Sequence, residues 1–462
     1  MTCPEPDPGC SSCAALAARV SELEALVAKL GAKAGISSRN SSRPPSTDPP
    51  WARESKKSKD GEKRKRGGQH GHPKSQRATR PPEEVDCVED VFPQTCGGCG
   101  EALHGRDQHP RRHQVTEIPP ISTWLTEYRL HALTCGVCGD VSRARLPEGV
   151  PQGAFGPRLE ATIALLTGHY RVSRRSTQEL LEELFGLSIS LGAISKIEGR
   201  VGNALAPMHA EALDRVRGAK TKHADETSWR QAGEKFWMWV AKTDEAVAFL
   251  IRDNRSGEVA RELLGEDLVG TLISDRWSGY TWVDLGQRQV CWAHLFRDFR
   301  KMAESGGKES KRIGEDLTLL GGALFVWLYK YRDGEIPRSQ WRKRADDFRK
   351  EMKKLLDEGS KLDEWRAPGL CRGILEVESA MWTFVRNECV EPTNNDAERA
   401  IRRAVIWRKT SLGTQSQRGS LYAERILTCA ATLRLQGRSV FEFLHQVCSA
   451  VLQCSAPVSL FP

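Results

Sequence analysis

The stretch from Lys220 to Asp275 alternates apolar runs and turn residues in an order that constrains the fold more than any other part of the chain. KTKHADETSW, KFWMWVAKTD and AVAFLIRDN each have the composition of a strand, and tight turns separate them. SGEVARELLGE is typical of a helix, with Ser256 as its cap. LVGTLISD predicts a buried strand that ends on Asp275. The order is therefore strand, strand, strand, helix, strand.

Three acidic residues stand at the edges of predicted elements: Asp225 in HADETSW, Asp275 in LISDRWSGY, and Glu398 at the start of an arginine-rich helix in NNDAERAIRR. The order of elements is that of the ribonuclease-H-like arrangement, in which the first and fourth strands lie side by side and bring their acids together. Carboxylate oxygens suit Mg²⁺ or Mn²⁺, and two such ions about 3.5 to 4 Å apart can cut and rejoin phosphodiester bonds. We predict that these three acids are catalytic metal ligands.

Each acid alone also has an ordinary structural explanation. Asp225 can accept hydrogen bonds from nearby hydroxyl groups, and Asp275 can start the turn that follows it. Glu398 stands three residues after Asn395, which is the capping-box position of a helix. The catalytic interpretation depends on all three acids occurring in the right order beside the right elements.

Length, composition and charge limit the function. At 462 residues with 39% hydrophobic content, the chain is long enough for several domains with buried cores. It has no run of eighteen apolar residues and no secretory signal pattern, so we expect a cytoplasmic, nucleoid-associated protein with no membrane partner. The net charge is +9, and residues 51–80 hold eleven Lys or Arg against three acids. The excess charge therefore indicates one local segment that binds a polyanion.

Residues 1–33 carry a short heptad pattern. Apolar residues follow each other at spacings of 4, 3, 4 and 3 between Ser12 and Gly31, which suit the two helix caps. The seam consists of Leu16, Val20, Leu23, Val27 and Leu30. The segment resembles a small leucine zipper and favours a homo-oligomer. An amphipathic helix packed on its own domain is the alternative.

Residues 34–82 are polar, basic and rich in Pro, Gly and Ser, which predicts a disordered linker. Its basic cluster consists of Lys63, Arg64, Lys65 and Arg66. We expect this cluster to contact DNA phosphates without recognising base sequence, so that binding weakens steeply with salt. A linker that only adds solubility is the alternative.

Residues 83–150 contain two similar cysteine motifs, CGGCG from Cys96 to Cys99 and CGVCG from Cys135 to Cys138. The glycines permit the tight turns that aim both thiolates of a pair at one ion, so four thiolates predict a closed tetrahedral Zn²⁺ site. We expect the strands of this zinc ribbon around Trp124 to Leu133. A redox interpretation explains one pair but not two. The less favoured zinc ligands are Cys87, His104, His109 and His113.

Residues 151–215 predict a helical DNA-binding domain. The helix TQELLEELF, capped by Ser173 or Ser176, ends at Gly186, and LSISLGAISKIEGRV forms a second helix. This pattern is typical of a helix-turn-helix, with generic helical packing as the alternative. The basic rim consists of Arg171, Arg174 and Arg175.

The remaining boundaries follow the predicted core. The segments are the first part of the catalytic core at 216–300, a helical insertion at 301–385, the third-acid helix of the core at 386–415, and a C-terminal helical segment at 416–462. The predicted fold class is therefore multidomain α+β, with an α/β core that carries a helical insertion.

Two further features fit phosphodiester chemistry. Cys291 and His294 form a C-x-x-H pair, and on a strand they would point to nearly opposite faces, which places one in the core and His294 near the metals. A packed structural histidine is the alternative. The helix of Glu398 also carries basic side chains that can clamp DNA phosphates, although a solvated helix face explains them equally well. These residues are Arg399, Arg402, Arg403 and Lys409.

Together these motifs resemble the insertion-sequence-66 type of bacterial transposase, the TnpC-type protein. The resemblance runs through NSSRPPSTD and GGQHGHP in the linker, and through DET, SDRWSGY, CWAHLFRDF and NNDAERAIR in the core. It implies a DDE transposase with divalent metal dependence, a ribonuclease-H-like core and accessory proteins from the same element. Arg276 and Trp277 stand where small or polar residues are more usual.

We therefore expect a protein that binds the terminal inverted repeats of its element, hydrolyses the 3′ ends and joins them to target DNA. Two alternatives remain. One is a catalytically silent zinc-ribbon regulator derived from a transposase, and the other is a ribonuclease-H-like nuclease that cuts without joining.

Overall fold

The computed structural model of the chain describes residues 78–305 and 307–462. The described residues form two compact units, one that ends at Trp124 and one from Leu125 to Pro462. The predicted zipper of residues 1–33 and the basic cluster from Lys63 to Arg66 lie outside the described residues. Both stay predictions.

The unit that ends at Trp124 contains little regular structure. It has a 3₁₀ turn at Pro82–Glu84 and an isolated antiparallel bridge between Thr95 and Ala102. Val91 is 90% exposed and Trp124 is 94% exposed, so these large apolar side chains do not pack in a core.

The second unit begins with a small antiparallel hairpin of β1 (Ala132–Thr134) and β2 (Val141–Arg143). The expectation of strands around Trp124 to Leu133 is wrong for most of that stretch. The strands instead flank the second cysteine motif, because its tight turn reverses the chain direction between Thr134 and Val141.

Four helices precede the main sheet. They are α1 (Pro157–Ala164), α2 (Arg174–Phe185), α3 (Leu191–Ala204) and α4 (Ala206–Gly218). A π-helical turn, Leu165–His169, continues α1. Ser173 caps α2, Gly186 ends it in the left-handed conformation, and Ser190 caps α3. The two helices predicted for the helix-turn-helix are confirmed, and their contact with DNA stays a prediction.

The main sheet has five strands in the order β5-β4-β3-β6-β7. They are β3 (Thr221–Gln231), β4 (Glu234–Lys242), β5 (Val247–Arg252), β6 (Thr271–Ser274) and β7 (Arg288–Val290). Strands β3, β4 and β5 are antiparallel neighbours, and β6 lies parallel to both β3 and β7. Helix α5 (Gly257–Leu264), capped by Ser256, joins β5 to β6. The predicted order and the pairing of the first and fourth strands are confirmed.

A helical insertion follows β7. Its helices are α6 (Trp292–Ser305), α7 (Lys308–Arg332), α8 (Arg338–Gly359), α9 (Ala367–Leu375) and α10 (Thr383–Arg386). They bury their own aromatic core, in which Trp292, Trp341 and Trp382 are at most 3% exposed. The helix-rich character predicted for residues 301–385 is confirmed.

Three helices close the chain: α11 (Asn395–Ser411), α12 (Gln417–Leu435) and α13 (Val440–Leu452). Helix α12 lies along the outer edge of β5, because Glu424, Thr428 and Thr432 accept hydrogen bonds from alternate N–H groups of that strand at 2.7 to 3.0 Å. The donors are Ile251, Phe249 and Val247.

The opposite edge of the sheet is also covered. On β7, the carbonyl of Arg288 accepts a hydrogen bond from the Thr383 hydroxyl at 2.6 Å, and the Gln289 side chain accepts one from the Phe384 N–H at 2.8 Å. Among the described helices, none combines the length and the apolar composition needed to cross a membrane.

Candidate active site

Asp225 and Asp275 stand at the same level of two adjacent parallel strands. Strands β3 and β6 pair Thr221 with Thr271 and continue to His223 with Ile273, so each acid lies two residues beyond the last registered pair. Neighbouring strands lie about 4.8 Å apart. The sheet therefore brings the first two predicted acids side by side.

Asp225 lies among other carboxyl groups. Its pKa is raised well above the ordinary value, first by burial and then by the negative charges of Glu226, Asp275 and Glu398. Its Oδ1 accepts a hydrogen bond from the Glu226 N–H at 3.0 Å. The three predicted acids thus lie close enough to influence one another, and a bound cation would relieve their repulsion.

Asp275 is held by the turn after β6. Its Oδ1 accepts a hydrogen bond from the Trp277 N–H at 2.9 Å. Asp275 therefore starts a turn, which is the structural role predicted as the alternative to metal binding. Its carbonyl accepts a hydrogen bond from the buried Arg288 guanidinium at 2.8 Å. A role in the turn and a role as a ligand are compatible, because the turn uses only one carboxylate oxygen.

Glu398 lies in the first turn of α11, and the residue that positions this helix is Asn394. The buried Asn394 side chain donates to the Ala224 carbonyl at 2.7 Å and accepts from His223 Nδ1 at 3.2 Å, and its N–H donates to Cys291 Sγ at 3.1 Å. The capping-box explanation for Glu398 is wrong. The cap is Asn394, whose side chain bonds to β3 and not to the helix.

Cys291 and His294 do not both lie on a strand, so the expectation that they point to opposite faces is wrong. Cys291 follows β7, and His294 lies in the first turn of α6. This change of direction aims both side chains toward Glu398, and the potential ligand atoms of the three residues lie within 4.8 Å of one another. These atoms are close enough for a shared metal ion, which His294 could join only through an unprotonated ring nitrogen free of Arg297.

Arg297 determines the tautomer of His294 and lowers its pKa. Its Nη1 donates to His294 Nε2 at 3.0 Å, and since a guanidinium only donates, the neutral ring carries its proton on Nδ1. That Nδ1 lies 3.9 Å from Glu398 Oε1, and both atoms are buried without a hydrogen-bond partner. Burial and then the charge of Arg297 lower the pKa of His294. The neutral ring thus faces the third acid with its N–H.

A fourth acid, Glu226, was not among the predicted site residues. Arg255 donates to its Oε1 at 2.8 Å, and the Tyr280 hydroxyl donates to its Oε2 at 2.8 Å. Arg255 also packs over Trp277, 4.2 Å from the ring centroid, so this network supports the turn that follows Asp275. Glu226 lies in the DET motif, and Trp277 and Tyr280 lie in the SDRWSGY motif. No pattern in the sequence indicates that Arg255 contacts them.

The predicted DNA-contact residues of α11 differ in their surroundings. Arg399 forms an ion pair with Asp396, Arg403 contacts His169, and Arg402 and Lys409 are exposed. Arg408, which was not predicted, donates to the hydroxyl groups and the carbonyl at the end of the Asp225 motif, on Thr227 and Ser228.

The two cysteine motifs have the same local geometry. The N–H of Cys96 donates to the Glu101 carbonyl and the N–H of Cys135 to the Asp140 carbonyl, each at 2.8 Å. Backbone N–H groups in each turn, led by the second cysteine of the pair, lower the pKa of Cys96 and Cys135. Each motif thus favours a thiolate, which suits a metal ligand. A single site of four cysteines stays a prediction.

Fold and site together define a mixed α/β protein with a carboxylate cluster at the centre of its sheet. Residues 152–421 match the family described as Transposase IS66 family, and residues 11–78 match a family of unknown function (DUF6444). The first match spans more than half of the chain and includes Asp225, Asp275 and Glu398. The chain belongs to the IS66 transposase family. This membership supports a transposase role, and the DDE class of the family implies divalent metal use.

Two relatives from Sinorhizobium fredii (strain NBRC 101917 / NGR234) are similar over most of the chain. The uncharacterized protein y4qI is 24% identical over 408 residues, which cover 80% of this chain and 72% of the relative. The uncharacterized protein y4hP is 25% identical over 399 residues, which cover 77% and 70%. Neither name adds a function, so the chemistry must be argued from the site.

Proposed function

We propose that this chain is a DDE transposase that binds the terminal inverted repeats of its element, hydrolyses the 3′ ends and joins them to target DNA. The observation that carries the proposal is that Asp225 and Asp275 occupy equivalent positions at the same ends of two adjacent parallel strands. Glu398, on α11, lies close enough for its negative charge to raise the pKa of Asp225. Family membership supports the same class of reaction.

The residues present fit a divalent metal centre. A buried carboxyl group surrounded by other carboxyl groups is costly unless a cation or protons neutralise it, and Glu398 Oε1 is buried without a hydrogen bond, with the Arg297 guanidinium 3.7 Å away. Asp225, Asp275 and Glu398 would hold Mg²⁺ or Mn²⁺. When bound, two such ions would activate the attacking oxygen and stabilise the leaving oxygen of a phosphodiester.

The surrounding residues orient these ligands. Asn394 holds the start of α11 against β3, and Arg297 fixes the tautomer of His294 so that its N–H faces Glu398. His294 therefore supports the third acid as a positioning residue. The Trp277 N–H holds one oxygen of Asp275 and leaves the other for a ligand role.

The strand order supports a ribonuclease-H-like core within this proposal. The two cysteine motifs would bind structural Zn²⁺ through Cys96, Cys99, Cys135 and Cys138. The partners would be double-stranded DNA at the transposon ends and target, a second copy of the chain, and accessory proteins of the same element. A DNA partner would make the protein nucleoid-associated.

The test uses the purified full chain, Mg²⁺ and a labelled duplex that carries the terminal repeat found beside the gene. Asp225→Asn, Asp275→Asn and Glu398→Gln should each abolish cleavage and leave binding to the repeat nearly unchanged. Asp253→Asn is the control, because this acid lies past the end of β5. Cleavage that survives in any of the three variants would remove that carboxylate from the proposed site.

The same assay separates the alternatives. A silent regulator would bind the repeat without any cleavage by the wild-type chain. A nuclease would cut but form no joined product with target DNA. Wild-type cleavage followed by joining supports the transposase.

A further inference from the structure

A cluster of positive groups lies between α11 and the helices before the sheet. The buried imidazole of His169 is at its centre, and Arg403 Nη1 lies 3.2 Å from its Nδ1 and 3.1 Å from its Nε2. Arg171 Nη1 points to the His169 carbonyl at 3.5 Å. Arg434, in the last turn of α12, acts on the same two side chains through its charge. We call Arg171, Arg403 and Arg434 the arginine cluster.

The arginine cluster is not neutralised within the described part of the chain. None of its three guanidinium groups has an ion-paired carboxylate there, whereas the nearby Arg174 and Arg200 pair with Glu198 and Glu160. Like charges in one place cost stability, and the half-buried Arg403 guanidinium also loses water without gaining a counter-charge. Such an arrangement is stable where an anion completes it.

The pKa shifts of His169 and Arg403 agree with an absence of negative charge among the described residues beside the arginine cluster. The pKa of His169 is lowered to about 4, first by burial and then by Arg403, Arg434 and Arg171. The pKa of Arg403 is lowered by burial and then by Arg434 and Arg171. No carboxylate is among the groups that shift either one.

Backbone geometry holds this arrangement under strain. Arg171 has φ 61°, a left-handed conformation that non-glycine residues rarely adopt, and it follows the π-helical turn Leu165–His169. That turn packs closely on α12, because a Cβ on Gly168 would meet Ile426 at 2.5 Å and no larger residue would fit there. Backbone strain of this kind persists where the surrounding structure enforces it, and it is concentrated at binding sites.

Arg403 lies five residues after Glu398 on α11, which is a rise of about 7.5 Å along the helix axis and a rotation of about 140° around it. The arginine cluster therefore faces away from the third acid, beside the helices that precede the sheet. We propose that the arginine cluster binds a backbone phosphate of the DNA at a point away from the scissile bond. Arginine suits this ligand, because its fork of donors matches phosphate oxygens. The DNA partner in this inference rests on the proposed function.

The experiment measures how the affinity of the full chain for a duplex of arbitrary sequence depends on salt concentration. Loss of one phosphate contact lowers the slope of log K against log salt by about 0.9. Arg171→Gln, Arg403→Gln and Arg434→Gln should each lower the slope, by no more than that amount because the three side chains share one phosphate. Arg403→Lys should restore it, because the charge is kept. Arg200→Gln is the control, since its guanidinium already pairs with Glu160.

The outcomes separate this inference from the proposed function. Unchanged slopes in the three glutamine variants, or an equal fall in Arg200→Gln, would overturn the arginine cluster as a phosphate site, while metal-dependent cleavage by the wild-type chain would still stand. Lowered slopes in a protein that never cuts DNA would keep the phosphate site and remove the transposase. A wild-type chain that does not bind duplex DNA overturns the inference.

A second measurement follows the His169 ring directly. Histidine proton NMR of the full chain, assigned with His169→Gln, should show the His169 titration moving to higher pH when the duplex is added. A phosphate favours the protonated ring, so the sign of this shift is fixed. Thermal unfolding of each variant checks that it is folded. A titration that does not move on saturation with DNA contradicts the inference.

Discussion

The side-chain amide of Asn394 donates a hydrogen bond to the carbonyl of Ala224, the residue immediately before Asp225. The bond joins the start of α11 to the centre of β3 across 170 residues of chain. Because Glu398 is one turn further along α11, this contact fixes the third acid relative to the first. The proposed metal binding by three distant acids depends on such a contact.

Asn394→Ala should therefore weaken both folding and cleavage. It leaves the Ala224 carbonyl and His223 without their partner inside the protein, at a cost of about 1 to 3 kcal/mol of unfolding free energy. Urea unfolding measures the loss. Asn387→Ala is the matched control, because its side chain is exposed and accepts one local hydrogen bond, so it should change little. Equal losses in the two variants would argue against the special role of Asn394.

Asp225→Asn should stabilise the metal-free protein at neutral pH. The raised pKa means that the folded state keeps a proton that the unfolded chain releases above about pH 4. Stability is therefore lost as the pH rises from that value through the raised pKa, and the uncharged asparagine removes this loss. Thermal unfolding at pH 5 and pH 8 in Mg²⁺-free buffer measures the difference. The same pH dependence in both proteins would contradict it.

Adding Mg²⁺ at pH 8 should make the wild-type chain more stable than Asp225→Asn. An ion that binds only the folded state at a hundredfold excess over its Kd stabilises it by about 2.7 kcal/mol. The wild-type chain should gain this stabilisation, and Asp225→Asn should gain little. The melting temperature with and without Mg²⁺ is the measurement, with Asp253→Asn expected to behave as wild type.

His294→Ala should lower cleavage by about tenfold to a hundredfold, in the range found for groups that orient metal ligands. The effect should appear as a higher Mg²⁺ concentration at half-maximal cleavage, because His294 acts through Glu398. His294→Asn, which keeps a side-chain N–H donor, should recover part of the rate. His445→Ala is the control, since this ring lies beside Glu442 on α13. A fall in rate with unchanged Mg²⁺ dependence would contradict a positioning role.

Arg255→Gln should destabilise the fold by about 3 kcal/mol, because it leaves the buried Glu226 charge without its ion-pair partner. The double variant Glu226→Gln with Arg255→Gln should recover much of that loss. Urea unfolding of the two single variants and the double variant gives the coupling energy between the residues. Additive losses would show that Arg255 and Glu226 are not energetically coupled.

Each of Cys96→Ser, Cys99→Ser, Cys135→Ser and Cys138→Ser should lose one zinc ion per chain. A closed site needs all four thiolates, so no single variant should retain full zinc content. Metal analysis of the purified proteins is the measurement, and the exposed Cys389→Ser should keep its zinc. If one cysteine pair can be changed without loss of zinc, the two motifs do not share an ion.

The sequence was most informative where local patterns determine the structure. Strands β3 to β6 and helix α5 followed from apolar runs, turn residues and the Ser256 cap, and the pairing of the first and fourth strands followed from their order. The positions of Asp225 and Asp275 depend on that local geometry. They could therefore be predicted without coordinates.

Long-range contacts could not be predicted in the same way. Asn394 has no periodic pattern that links it to Ala224, and Arg255 is separated from Glu226 by two strands. The prediction that Cys291 and His294 lie on one strand is wrong because the chain turns from β7 into α6 within two residues. No local pattern marks this turn. Such contacts arise from packing, which short-range spacing does not record.

The covered edges of the main sheet limit how two copies of this protein can meet. Helix α12 occupies the N–H groups of β5, and Thr383 with its neighbours occupies β7. An incoming strand would find its hydrogen-bonding groups already taken on either side. A paired assembly on DNA would therefore not extend the main sheet, and the covered edges also protect this sheet from growing into β-aggregates.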